Sequence, residues 1–172
     1  MNKTIRIAGF GGQGVMLIGQ ILAYTAMKKG YQSTFVPTYG PETRGGTANC
    51  MVSISDEEIC SPVFDNAMDL ICLNEPSYVK FHDKATDIIL FNETLVKNVN
   101  EDQRHVSIPA SLLSRTIDER SLNMVMLGAY LKKTNLLSLN DIKESLRYFF
   151  TGPKASLVEQ NYQAVIKGFE YK

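Results

Sequence analysis

The sequence has no excess of either charge: 18 Lys+Arg balance 18 Asp+Glu, a formal net charge of zero. That speaks against a nucleic-acid surface built on bulk positive charge, and no nucleic-acid partner is expected. No apolar run approaches the roughly 20 residues that cross a bilayer, so no membrane span is expected either. Met1-Asn2-Lys3-Thr4 leads straight into a strand-like segment. It lacks the apolar stretch and small-residue cleavage site of a secretory signal. Cysteine is scarce. Cys50, Cys60 and Cys72 form an odd set without a C-x-x-C pair. This argues against a secreted disulfide framework and against a cysteine-ligated iron–sulfur cluster on this chain. A reducing cytoplasm is the expected location.

Histidine is scarcer still. His82 and His105 both stand among polar neighbours in sequence and read as solvated surface residues. No H-E-x-x-H, G-x-S-x-G or P-loop motif occurs, and no Ser/His/Asp set assembles from local motifs. No catalytic residue and no metal ligand is assigned. Cys50 and Cys72 lie in apolar strands, and Met124 and Met126 on an apolar helix, so all four read as core.

What is present suits an ordinary globular chain: 172 residues, 44% hydrophobic and 21% charged. This length fits one domain, 1–172, burying about 70% of its unfolded surface without a metal or disulfide staple. Residues 4–10 read as a short apolar strand, followed by a glycine cluster and a helix over 13–29. In that helix Val15, Ile18, Ile21, Leu22 and Ala26 recur at spacings near three and four. Lys28 and Lys29 suit its C-terminus, and Gly30 is a left-handed stop. Residues 31–37 make a second strand. Strand, helix, strand is a βαβ unit with its strands parallel. Residues 47–55 alternate as a strand, and Asp56-Glu57-Glu58 turns it into a hairpin with 59–61.

Runs 69–74 and 87–92 read as buried strands joined by a helical connection at 76–81, with 104–108 as a last strand. The remainder is helical. Residues 122–133 are apolar on most sides, and 138–150 carry the capping signature Ser138-x-x-Asp141. Pro153 begins a final helix that packs through Leu157, Tyr162, Val165, Ile166 and Phe169. The alternation predicts an α/β fold: a three-layer α/β/α sandwich with a Rossmann-like N-terminal βαβ unit. The sheet is mostly parallel, made mixed by the hairpin.

Two loops carry chemistry. Gly9-Phe10-Gly11-Gly12-Gln13-Gly14 matches G-x-G-x-x-G after a strand and before a helix. Glycines let backbone N–H groups approach an anion, and the helix start adds positive partial charge. A phosphate or pyrophosphate suits this turn; a bare tight crossing from strand to helix is the alternative. A β-branched residue at Gly11 is expected to block both close approach and a positive φ. A nicotinamide dinucleotide calls for an acidic residue about 20 positions on, at the end of the second strand. Thr34, Phe35, Val36 and Pro37 stand there, and no acid precedes Glu42. The second loop, Tyr39-Gly40-Pro41-Glu42-Thr43-Arg44-Gly45-Gly46-Thr47, follows the second strand and so lies at the carboxyl edge beside the first. Arg44 suits bidentate contact with phosphate or carboxylate, or pairs with Glu42 in a surface turn.

The stretches IRIAGFGGQGV, PTYGPETRGGTANCMVSIS and DEEICSPVFDNAMDLICLNEPSY, with NMVMLGAYLK and NYQAVIKGFE later, resemble the gamma subunit of 2-oxoacid:ferredoxin (or other acceptor) oxidoreductases. The resemblance is strongest to the 2-oxoglutarate type. It implies a part in coenzyme A-dependent oxidative decarboxylation of a 2-oxoacid to acyl-CoA and CO2. Coenzyme A is then a substrate handled on this chain, which is inactive alone. Thiamine diphosphate, magnesium and iron–sulfur clusters are implied on alpha, beta and, in some complexes, delta partner subunits, which pass electrons to ferredoxin or another acceptor. On the family's pattern Gly9, Gly11, Gly12, Gln13 and Gly14 carry over as one binding loop. Tyr39, Gly40, Pro41, Glu42, Arg44, Gly45 and Gly46 carry over as the other. Thr43 stands where relatives often have an apolar residue. The resemblance does not decide whether these loops touch coenzyme A or a partner subunit. The competing readings are a free-standing nucleotide-binding dehydrogenase and a scaffold subunit without a ligand.

Overall fold

The computed structural model describes residues 2–38 and 47–172. Among them are six strands: β1 (Asn2–Phe10), β2 (Gln32–Thr38), β3 (Thr47–Ser55), β4 (Ala67–Cys72), β5 (Ala85–Asn92) and β6 (His105–Ile108). They form one sheet in the order β2-β3-β1-β4-β5-β6. β1, β4, β5 and β6 are parallel neighbours, whereas β3 runs antiparallel to both β1 and β2. The first two strands therefore share a direction, as expected of a βαβ unit, but β3 lies between them. Burial accounts for the order. β3 buries most of its length, with Cys50, Val52 and Ile54 fully enclosed. β2 is half-exposed and contains Pro37, which has no N–H for a ladder and belongs on an edge.

The expected hairpin is corrected. Residues 59–61 form no strand, because both edges of β3 are already taken. The segment after β3 is tied to the sheet by the guanidinium of Arg6, which donates to the carbonyls of Phe64 at 2.9 Å and Asp65 at 3.0 Å. The same guanidinium lies 4.8 Å from the Phe81 ring centre, a cation–π contact. The sheet is mixed because β3 is inserted, not because of a hairpin.

Five helices pack on one face: α1 (Val15–Lys28), then α3 (Ala110–Arg115), α4 (Leu122–Thr134), α5 (Leu139–Phe149) and α6 (Leu157–Glu170). Among the described residues the other face carries one short α-helix, α2 (Glu75–Phe81), whose Tyr78 and Phe81 meet Ala8, Leu70, Cys72 and Ile89. No helix among the described residues is long and apolar enough to cross a membrane. Val15, Ile18, Ile21, Leu22 and Ala26 are all buried as their spacing predicts, and Gly30 takes φ 90° at the stop. Ser138 caps α5, accepting from the Asp141 N–H at 3.2 Å. The last helix begins later than expected: Pro153 sits in a 3₁₀ turn, Gly152–Lys154, and α6 starts at Leu157.

The Asp69 side chain is fully buried on the helical face. It accepts from the Tyr130 hydroxyl at 2.7 Å and meets the Lys3 ammonium at 3.0 Å. Cys50 and Cys72 are buried and Cys60 is exposed. Burial pushes both enclosed thiols from 9.0 up to about 12, since it penalises the thiolate. A folded value above the unfolded one means stability that is complete below pH 9 and lost as pH rises toward 12. Denaturation midpoints of a Cys60→Ser variant are thus expected to fall across that window. Alkylation of the native chain near neutral pH should label Cys60 alone, and all three thiols only after unfolding; native labelling of Cys50 or Cys72 would contradict this packing.

Candidate functional site

β1 carries the glycine turn to the carboxyl edge of the sheet. A Cβ on Gly9 would lie 2.9 Å from both Gln13 Oε1 and Val15 Cγ2, so the strand end admits only glycine without a shift. Gln13 then folds back over the turn. Its Oε1 accepts from the Phe10 N–H at 2.7 Å and from Asn74 Nδ2 at 2.9 Å. Its backbone N–H donates to the Phe10 carbonyl at 3.1 Å. Gln13 is therefore a brace for the turn. Asn74, 2% exposed, ties the brace to the end of β4 and also caps α2, its Oδ1 accepting from the Ser77 N–H at 3.0 Å. Sequence reasoning passed over Asn74; an Asn placed just before Glu75-Pro76 is a helix-start signal that marks it.

Gly12 and Gly14 hold positive φ, 91° and 77°, where other residues are strained. Gly14 is the N-cap of α1 and supplies no side-chain cap, leaving the first-turn N–H groups for another acceptor. A Cβ there would lie 2.2 Å from Asn123 Nδ2. Gly11 is different. A Cβ on it meets nothing among the described residues within 4 Å, and its φ is not positive. The expectation that a side chain at Gly11 strains the backbone is corrected: that strain belongs to Gly12 and Gly14.

Tyr39, Gly40, Glu42, Arg44, Gly45 and Gly46 of the second loop lie outside the described residues. The strands that flank them meet the same edge as the glycine turn, with Thr38 opposite Asn49 and Thr47 opposite Phe10. A cavity of about 230 Å³ opens beside Gly12 and Gly14, walled in part by Asp118, Asn123 and Gln160.

The histidines are half-buried and held by aromatic partners rather than free on the surface. His105 Nε2 lies 3.0 Å from the Tyr78 hydroxyl, and the His82 ring stacks on Tyr78 at 4.8 Å. The Phe91 edge approaches His105 at 5.3 Å. Burial lowers the His105 pKa, which favours the neutral ring. A groove of about 670 Å³ runs past His105 and the 99–103 segment. It is larger than the cavity at the glycine turn, but none of its walls comes from that turn. Among the described residues no His, Cys, Asp and Glu cluster could hold a metal ion.

The family described as pyruvate ferredoxin/flavodoxin oxidoreductase matches residues 4–171. The chain is 36% identical to the ketoisovalerate oxidoreductase subunit VorA of Methanothermobacter thermautotrophicus over 97% of its own length but only 36% of the relative's. It thus spans about a third of that longer protein. It is 34% identical to the 2-oxoglutarate synthase subunit KorC of Methanocaldococcus jannaschii, covering 99% of this chain and 94% of that one. A solved structure, the 2-oxoglutarate:ferredoxin oxidoreductase of Magnetococcus marinus with 2-oxoglutarate, coenzyme A and succinyl-CoA bound, is similar at TM-score 0.83 and 26% identity. It matches over 97% of this chain and 30% of that one.

Proposed function

Because the chain belongs to the pyruvate ferredoxin/flavodoxin oxidoreductase family, we propose that it serves as the gamma subunit of a 2-oxoacid:ferredoxin oxidoreductase, of the 2-oxoglutarate type, and that its glycine turn binds coenzyme A. Support for the subunit reading comes from the near end-to-end likeness to KorC. The observation that carries the coenzyme A reading is Gly11. Gly9 is required by crowding, and Gly12 and Gly14 by φ. Gly11 is required by neither among the described residues, so its bare backbone stands open to a ligand. A pyrophosphate approaching the uncapped start of α1 uses that opening.

Gly12 and Gly14 shape the turn, Gln13 and Asn74 hold it, and the N–H groups at the start of α1 meet the phosphates. Arg44 supplies a guanidinium for a further phosphate oxygen. Thiamine diphosphate with magnesium, and iron–sulfur clusters, held on alpha, beta and, in some complexes, delta subunits, would supply the decarboxylation and the electron path to ferredoxin or another acceptor. This chain orients the coenzyme A whose thiol takes up the acyl group.

The test uses the assembled complex. Gly11→Ala is expected to raise the KM for coenzyme A about tenfold, a loss of about 1.4 kcal/mol of binding, with no change in Tm. Arg44→Ala is expected to raise the same KM. An unchanged KM in the Gly11 variant would overturn the coenzyme A reading. Oxoacid-dependent dye reduction by the isolated chain would overturn the subunit reading.

A further inference from the structure

The two faces of the sheet are covered unequally. β1, β4, β5 and β6 run parallel, and strands of a parallel sheet are normally covered on both faces. Five helices cover one face. Among the described residues the other carries α2, seven residues long, and a strap, residues 56–66, with neither helix nor strand. Arg6 holds the strap through the Phe64 and Asp65 carbonyls. Lys84, just past α2, meets Asp65 at 2.8 Å. The strap and α2 are thus neighbours in one thin layer.

That layer exposes apolar side chains. Val79 on α2 is 62% exposed and Val63 on the strap 57%. Val99, 38% exposed, walls the groove at His105 beside Phe91, which packs with α2. The same face holds polar atoms left over. Thr34 of β2 pairs with Ser53 of β3, which pairs with Thr4 of β1, two residues before Arg6. Alternate residues of a strand share a face, so all four point to the α2 side. Arg6 Nε, Ser53 Oγ and Thr34 Oγ1 are buried without a hydrogen-bond partner among the described residues, and so is Ser77 Oγ of α2. A finished layer pairs such atoms. The helical face does so: the Thr25 hydroxyl donates to the Ile21 carbonyl at 2.6 Å, and the Ser145 hydroxyl to the Asp141 carbonyl at 3.1 Å.

We propose that the α2 face docks on the polypeptide that corresponds to the remainder of the longer relatives. In those relatives this domain is about a third of one chain, whereas in another it is nearly the whole chain. A surface that holds the domain to that polypeptide serves both arrangements, and a covalent tether adds only effective concentration. The docking assignment rests on the reading of the chain as one subunit of a complex. The partner sets apolar side chains against Val63, Val79 and Val99. Lys80 and Asp83, both exposed, give the rim charges of both signs. An apolar centre with a mixed polar rim fits another protein surface.

The test is recovery of co-expressed alpha and beta subunits on the tagged chain. Val79→Glu and Val63→Glu are expected to lower that recovery about tenfold while Tm stays at the wild-type value. Leu112→Glu and Met27→Glu, at exposed positions of the helical face, are expected to leave it unchanged. Amide exchange on the wild type is the second readout: assembly should slow α2 and the strap about tenfold and leave α5 as it is. If the strap or α2 variants lose their fold, exchange decides alone. Full recovery with Val79→Glu and Val63→Glu, loss with the helical-face variants, or protection of α5 in place of α2 would overturn the assignment. So would an isolated chain that self-associates and is made monomeric by Val79→Glu, since the occupant would then be a second copy. A wild-type chain that retains neither alpha nor beta subunit would overturn the subunit reading itself.

Discussion

Gly128→Ala is expected to unfold the chain at a temperature roughly 6 °C below the wild type. α4 and α6 meet backbone to backbone. A Cβ on Gly128 would lie 1.9 Å from the Val165 carbonyl oxygen, and one on Gly168 would lie 1.9 Å from the Val125 carbonyl oxygen. Neither obstacle is a flexible side-chain tip, so the helices must separate. That loosens Val125 and Val165, both fully buried. Alanine favours a helix interior over glycine by about 1 kcal/mol. Overpacking between rigid backbones costs about 3 kcal/mol or more, so the net effect is destabilising. Thermal unfolding followed by far-UV circular dichroism checks it. A Tm at or above that of the wild type would contradict the close approach of the two helices.

Asp69→Ala is expected to cost about 3 kcal/mol, because it removes the buried carboxylate that the Tyr130 hydroxyl and the Lys3 ammonium share. The carboxylate is enclosed between β4 and α4. It accepts from Tyr130, itself fully buried, and faces Lys3. Removing it leaves the Tyr130 hydroxyl without its acceptor and the Lys3 ammonium with only Asp87, 3.6 Å away. Tyr130→Phe should cost only about 1 kcal/mol, since the ring keeps its packing and one hydrogen bond is lost. The same pair sets an alkaline limit. Burial, reinforced by Asp69, pushes the Tyr130 hydroxyl well above its usual 10.0. The folded value exceeds the unfolded one, so this contribution is complete below pH 10 and is lost as pH climbs beyond it. Denaturant titrations at pH 8 and pH 11 should show a smaller alkaline loss in Tyr130→Phe than in the wild type; equal losses would count against the assignment.

Much of the fold was legible because local periods report burial. The spacing of Val15, Ile18, Ile21, Leu22 and Ala26 marked the buried stripe of α1, and Ser138-x-x-Asp141 marked the start of α5. Cys50, Cys72, Met124 and Met126 were readable as core for the same reason. The placement of β3 was not legible. An apolar strand announces that it is buried, not which neighbours it takes, and the acidic turn after Ser55 imitated a hairpin. The histidines misled because their sequence neighbours are polar, while Tyr78 and Phe91 reach His105 from other elements.

The two loops divide in the same way. By itself the sequence determined a glycine turn between a strand and a helix, because glycine readily takes the positive φ found at Gly12 and Gly14. It also determined a chain without a catalytic set of recognisable spacing. The tertiary structure alone separated Gly11, which the fold leaves free, from the glycines that the fold requires. It alone brought Asn123 to Gly14, 109 positions away, and Gln160 and Asn161 to the same cavity. Such contacts are made by helices packing on a common sheet face, and partners so distant in the chain share no local period for a sequence to display.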